Sequence, residues 1–400
     1  MSTERSKIAV CALLLGLTGC MSEDKPETGG IVVGLLLPFT GSASATASNL
    51  ERATFFAEDI ISDHGGIAGT KLRIVSRDTH SDVARGLQGA RELADAGAVA
   101  VIGPESAEIA EQIRPVLAAK DVLFLSPLVG AADDPGRKCE TPWFRLAPSA
   151  KALGEALAKQ AKQQVERVAV LYSSSPYDRA LGGAAATRFK TLGGDVSLEL
   201  ELNPEAQSYA SVISKAIDSG ATDVILAASP RAAAILVNEF DALSSKKPHW
   251  FLSPLLKTEL LVQNVAPQAL EGALGIAPGI YQADPAFQMQ FSERWQGDTP
   301  LEGAYFYYDA VALLAIALAK VEHDDSVSLS AAMLDAAGPP GEAIKWDEVA
   351  VGIERQLKGD DLYYSGLTGP LSLEACGARS TGITTSWTVR NGAIVDLSTK

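Results

Sequence analysis

The sequence predicts an α/β protein built as two doubly wound, Rossmann-like lobes. Three observations carry this expectation. Strand-like and helix-like segments alternate from Gly30 onward. The alternation reaches about Leu125 and restarts near Lys151. Beyond Gly279 it gives way to longer helices and a closing hairpin. Repeated βα units bury their apolar strands best in a parallel sheet covered by helices on both faces. With 400 residues, 47% of them apolar and 21% charged, the chain has a globular composition and the length of two or three domains.

Ile31–Leu37 is a continuous apolar run stopped by Pro38, the pattern of a strand buried on both faces. A helix is predicted over Ala47–Ile61 and a strand over Lys71–Ser76. Val83, Leu87, Ala90 and Leu93 mark one face of the next helix. Val99–Ile102 reads as a strand, Ala107–Ala118 as a helix and Val122–Leu125 as a strand. In the second run, helices are expected over Lys151–Gln163, Arg179–Leu192, Tyr209–Ser219 and Arg231–Leu243. Strands are expected over Arg167–Tyr172, Asp195–Leu202, Asp223–Ala227 and His249–Leu252. Asp284–Trp295, Glu302–Val321 and Leu329–Ala336 read as further helices, and Gly338-Pro339-Pro340-Gly341 interrupts the chain. Thr384–Val389, the Asn391-Gly392 turn and Ala393–Leu397 form a hairpin pattern. This tail is expected to pack back onto the lobes rather than form a third domain.

At the N-terminus, Arg5 and Lys7 precede the apolar stretch Ile8–Leu17, which has signal-peptide length. Leu17-Thr18-Gly19-Cys20 follows and resembles a bacterial lipobox. Residues 1–19 are therefore expected to be a lipoprotein signal peptide, with Cys20 carrying lipid and residues 20–30 forming a polar tether. Membrane contact is expected through that lipid alone. Ala310–Ala319, the other apolar run of about ten residues, falls short of the ~20 needed for a span and reads as a buried helix. Cys139 and Cys376 remain in a compartment that permits disulfides and are expected to pair. A net charge of −15 argues against nucleic acid as a partner.

No dinucleotide fingerprint, phosphate loop or nucleophile elbow is present, and His64, His80, His249 and His323 are scattered. His80 lies between Asp78 and Asp82, but Asp82 reads as a helix N-cap and Asp78 as a turn former. Neither an enzyme, a metal site nor a cofactor is expected. The predicted strand ends are instead rich in hydroxyls and glycine. In the first run they are Pro38-Phe39-Thr40-Gly41-Ser42, Gly103-Pro104-Glu105-Ser106 and Ser126-Pro127. In the second they are Ser173-Ser174-Ser175-Pro176-Tyr177, Ser229-Pro230 and Ser253-Pro254. Ligands of open α/β sheets bind beyond the carboxyl ends of the strands. Hydroxyls and helix N-termini there can hold a small polar or anionic group without reacting with it. Each Ser taken alone suits a helix N-cap better.

From Ile31 onward the chain resembles the type I periplasmic binding proteins, in particular the branched-chain amino-acid-binding proteins of ABC transporters. The resemblance rests on Leu37-Pro38-Phe39-Thr40-Gly41, on His64-Gly65-Gly66-Ile67-Ala68-Gly69 and on Val101-Ile102-Gly103-Pro104-Glu105-Ser106. It continues through Leu125-Ser126-Pro127, Trp143-Phe144-Arg145, Val168-Ala169-Val170-Leu171-Tyr172 with Tyr177, Ala304–Val311 and Tyr364–Pro370. It implies two lobes joined by hinge strands, one from 31–147 plus about 279–365, the other from 148–278 plus about 366–400. It places ligand contacts at Ser106, Ser126, Leu128, Val129 and Gly130 in the first lobe, and at Tyr177 and near Ser229 and Ser253 in the second. Thr40, Ser42 and Glu105 join them as polar groups at strand ends.

Two departures stand out. Gly130 occupies a position where amino-acid binders usually carry a Thr. The loop Ser253-Pro254-Leu255-Leu256 lacks the acidic residue that usually faces the ligand ammonium. Glu105 is a candidate replacement, since a buried ammonium without a counter-charge is costly. The implied function is a lipid-anchored extracytoplasmic solute receptor, monomeric and partnered by an ABC permease. It would bind a branched-chain amino acid or related small polar ligand. The alternative is an envelope regulator of the same fold that binds a protein.

Overall fold

A computed structural model describes residues 29–41, 43–129, 142–280, 284–379 and 382–397. The first run contains β1 (Ile31–Leu37), α1 (Ala47–Asp63), β2 (Leu72–Asp78), α2 (Val83–Asp95), β3 (Ala100–Ile102), α3 (Ala107–Ala119), β4 (Leu123–Leu125) and β5 (Trp143–Pro148). The second contains α4 (Ala150–Lys162), β6 (Arg167–Ser173), α5 (Pro176–Thr191), β7 (Asp195–Leu202), α6 (Ala210–Asp218), β8 (Asp223–Ala227), α7 (Pro230–Leu243), β9 (His249–Leu252), the short α8 (Glu259–Val262) and β10 (Leu274–Pro278). The remainder supplies α9 (Pro285–Arg294), α10 (Glu302–Lys320), α11 (Ser326–Ala336), β11 (Glu342–Ile344), α12 (Val349–Leu357), β12 (Leu362–Gly366), β13 (Gly369–Pro370), β14 (Ala378–Arg379), β15 (Thr384–Arg390) and β16 (Ala393–Leu397).

Two large sheets organise these elements, with strand orders β14-β5-β4-β3-β1-β2 and β16-β15-β10-β9-β8-β6-β7. Every pairing in the first is parallel. The second is parallel from β7 to β10 and closes with the antiparallel β15–β16 hairpin. Taken in chain order, the first five strands of each lobe lie as second, first, third, fourth, fifth. The lobes thus share one doubly wound plan. In the first, α1 and α10 cover one face and α2 and α3 the other. In the second, α4 and α5 cover one face and α6 and α7 the other.

Helix boundaries follow local chemistry. The predicted start at Arg179 is three residues late. Ser175 caps α5, accepting from the Asp178 amide, and Pro176 occupies the first turn, where its missing N–H costs nothing. Asp82 caps α2 as expected, accepting from the Arg85 amide at 2.9 Å. β5, β10, β11, α12 and β12–β14 are not among the predicted elements, although α12 buries Val349, Gly352 and Ile353 at helical spacing.

The chain passes from the first sheet to the second after Pro148 and leaves the second after β10. It passes over a third time between Arg379 and Thr384. That third passage lies beyond the expected position near 366, because β12 and β13 pair with β11 and β14 pairs with β5 of the first sheet. The crossings run side by side. The Gly279 amide donates to the Ile383 carbonyl at 2.7 Å, and a Cβ on Gly382 would lie 2.5 Å from Pro148 Cγ.

α10 is the core helix of the first lobe. By length and hydropathy it could cross a membrane, but 89% of its most apolar 18-residue stretch is buried inside the protein. Its one internal charge, Asp309, is fully buried and accepts from the Tyr364 hydroxyl (2.6 Å), the Leu367 and Thr368 amides (2.9 and 2.8 Å) and the Thr368 hydroxyl (2.7 Å). Gly366 has to be glycine here, since a Cβ would sit 2.3 Å from Asp309 Oδ1. Arg379 is also buried and donates to the carbonyls of Leu146, Thr368 and Pro370. Together these bonds pin the segment ahead of the third crossing to the first lobe.

Candidate functional site

In a doubly wound sheet, helices leave the strands on opposite sides at the point where strand order reverses, and a crevice opens there. The reversal lies between β1 and β3 in the first lobe and between β6 and β8 in the second. The crevices are therefore bounded by the N-termini of α1 and α3, and of α5 and α7.

At the first crevice the backbone turns sharply after β3. Gly103 has φ +92°, and a Cβ on it would lie 2.1 Å from the Leu36 carbonyl of β1, so only glycine fits. Glu105 follows two residues later. Burial pushes its carboxyl up to about 7, against the lowering influence of Tyr307 and Thr46 beside it. Its Oε1 is buried without a hydrogen-bond partner among the described residues, and so is the Tyr307 hydroxyl. Thr46 stands at the start of α1 and makes no capping bond with its side chain. Tyr307 comes from the first half of α10. Ser106 caps α3, accepting from the Ile109 amide at 3.3 Å.

The other first-lobe candidates are distributed differently. Thr40 turns away from the crevice toward the loop after β2, donating to Asp78 Oδ2 at 2.7 Å and lying 2.7 Å from His80 Nδ1. Asp78 is held below the ordinary carboxylate range: burial opposes this, but bonds from Thr40 and the His80 amide outweigh it. Ser126 is fully buried and accepts a short hydrogen bond from the Trp143 indole N–H. Val129 is buried in the core on the α2–α3 face, whereas Leu128 packs where α10 begins, close to Gly303. Ser42, Gly130, Cys20 and Cys139 lie outside the described residues.

At the second crevice Ser229 caps α7, accepting from the Ala232 amide at 3.3 Å. Ser173 and Ser253, at the ends of β6 and β9, have buried Oγ atoms without a partner among the described residues. Tyr177 is partly buried against the α4–α5 side of the core, and burial raises its phenol above the ordinary range. Asp178 was not singled out from sequence, although Ser175-x-x-Asp178 is a capping-box spacing that could have found it. Its Oδ2 accepts from the Ser175 hydroxyl at 2.9 Å while Oδ1 is buried and unpartnered; burial pushes it up to about 6. After β9 the apolar loop carries Leu255 half-exposed and then Lys257, which pairs with Glu302 of α10 at 3.0 Å and Asp396 of β16 at 2.8 Å. Among the described residues no cluster of three or more His, Cys, Asp or Glu could hold a metal ion.

Two doubly wound lobes of the same strand order, joined by three adjacent crossings and carrying polar groups at their strand ends, are the architecture of the family found below. The family model for periplasmic binding proteins matches residues 30–341 of this chain. The chain belongs to that family.

This binding protein is similar to a Leu/Ile/Val-binding protein homolog of Brucella suis, 23% identical over 312 residues that cover 76% of this chain and 82% of the relative. A Leu/Ile/Val-binding protein homolog of Brucella melitensis is also 23% identical, over 195 residues covering 48% of this chain and 52% of that protein, so the match spans about half of it. An ABC transporter substrate-binding protein from Desulfitobacterium hafniense, solved in complex with Leu, superposes with a TM-score of 0.69 at 21% identity. That superposition covers 92% of this chain and all of the other. The fold and family expected from the sequence are those found. Proteins of this family are extracytoplasmic and bind solutes rather than transform them.

Proposed function

We propose that this binding protein is a lipid-anchored receptor of an ABC importer, and that its lobes close around a small amino compound such as a branched-chain amino acid. The observation that carries this reading is the set of unpartnered, buried polar atoms at the strand ends: Glu105 Oε1 in the first lobe, Ser173 Oγ and Ser253 Oγ in the second. The large majority of buried polar atoms in folded proteins have a hydrogen-bond partner. A solute held between the crevices would supply the missing partners, and hinged closure would create the surface that a permease recognises. The names of the Brucella relatives support the amino-acid class. The anchor is assigned to Cys20 on the lipobox-like sequence. The Cys139–Cys376 disulfide belongs to the same reading, supported by Cys376 being a bonded cysteine.

The test is thermal unfolding of chain stripped of carried ligand, against amino acids, amides and short organic acids. A ligand at ~100 times its dissociation constant adds about 2.7 kcal/mol and moves the midpoint by several degrees. A shift with one class supports the receptor. No shift with any compound defeats it and leaves a protein-binding regulator as the reading to pursue.

A further inference from the structure

We propose that Glu105 receives the positively charged amine of the bound solute, so that the counter-charge comes from the first lobe and not from the loop after β9. The inference rests on the receptor reading and assigns specificity within it. Position is the first argument. Glu105 stands at the point where strand order reverses, between the N-termini of α1 and α3, placed there by a turn that only glycine permits. The second argument is an unmet bond. Its carboxyl is buried, Oε1 has no partner among the described residues, and the groups beside it are the Tyr307 hydroxyl and Thr46. Tyr307 is the titratable group that faces it; among the described residues α1, α3 and α10 bring no Lys or Arg to it. A carboxyl so placed is costly to ionise alone, and a ligand ammonium would offset that cost.

The third argument is what the second lobe lacks. The loop after β9 offers Leu255 and Leu256, and the Lys257 that follows is already paired with two acids. Asp178 is the competing carboxyl: its Oδ1 is likewise buried without a partner among the described residues, but its Oδ2 is committed to the Ser175 hydroxyl that caps α5. An inorganic cation is disfavoured because Glu105 belongs to no metal-type cluster among the described residues. An organic ammonium needs one carboxylate and a few hydrogen-bond partners.

The experiment is calorimetric titration of the stripped full chain with the common L-amino acids, and with 4-methylpentanoate and 3-methylbutanoate as the amine-free partners of leucine and valine. Glu105→Gln and Asp178→Asn are titrated in parallel. The wild type should bind an amino acid at least ~100-fold more tightly than its amine-free partner, the size of a charge-assisted bond to a buried group. Glu105→Gln, an isosteric change, should lose ~100-fold for the amino acid and no more than ~3-fold for the amine-free compound. Wild-type affinity for the amino acid should fall as pH drops from 8 to 6, and Glu105→Gln should show no such fall.

Undiminished binding by Glu105→Gln overturns the assignment and leaves the receptor standing. So does loss of binding in Asp178→Asn alone, or a preference of the wild type for amine-free acids. Absence of binding to every compound by folded wild type overturns the receptor reading and this assignment with it.

Discussion

Glu105 is where burial and charge conflict most openly, and the conflict has a pH signature. Its folded-state value of about 7 lies above the ordinary 4.5, so the native chain keeps a proton that the unfolded chain releases. Ligand-free stability should therefore fall as pH rises between about 4.5 and 7 and level off above. Glu105→Gln removes the effect. Urea melts should find the variant roughly 1–3 kcal/mol more stable than wild type at pH 8 and equal to it at pH 4. Ser126 is a different case. It is fully buried and serves the Trp143 indole, so Ser126→Ala orphans a buried donor and should cost ~1–2 kcal/mol in the same melts.

Among elements, α10 carries most. It supplies Tyr307 to the first crevice, Glu302 to the pair with Lys257, and Asp309 to the bonds that fix β12–β14. Burial raises the Asp309 carboxyl against the pull of those bonds. Burial likewise lowers the Arg379 guanidinium to about 10, with Asp309 pulling it back up. Charges in such a place are tolerated when they are extensively hydrogen-bonded. Asp309 accepts four bonds, and Arg379 donates through both terminal nitrogens while its Nε has no partner among the described residues. Asp309→Ala leaves Tyr364, two amides and Thr368 without their acceptor, and chemical denaturation should register a loss of ~3–5 kcal/mol. Asp309→Asn keeps an acceptor oxygen and should lose less.

At the scale of the whole molecule, Lys257 ties the second lobe to the first. Burial disfavours its charge, but Asp396 and Glu302 outweigh burial and hold it protonated. Lys257→Met should cost about 1 kcal/mol at low ionic strength, and the difference from wild type should shrink in high salt. The disulfide proposal is checked by thiol titration of the denatured, unreduced mature chain: no free thiol is expected with Cys20 lipidated, and two would defeat the Cys139–Cys376 pairing. Ligand-driven closure should appear as a smaller radius of gyration in solution scattering.

What the sequence determined by itself was local. Apolar runs, helical periodicity, Ser and Asp caps and Pro or Gly stops depend on neighbours a few residues away. They were enough for the alternating elements, the two-lobe plan and the N-cap roles of Asp82, Ser106 and Ser229. The rule that open α/β sheets bind ligands beyond the carboxyl ends of their strands, together with the family resemblance, pointed to the strand ends as the candidate site. Tertiary structure decided whatever depends on distant partners. β5 and β12–β14 are defined by the strands they pair with, and the third crossing moves from about 366 to beyond Arg379 for that reason. Side-chain direction at strand ends is likewise non-local. Thr40 is drawn to Asp78, and Ser126 to Trp143, by groups from other strands or their loops, while Glu105 meets Thr46 and Tyr307, from two helices distant in sequence. A sequence shows which polar groups stand at a strand end; only the packed molecule shows which of them still lack a partner.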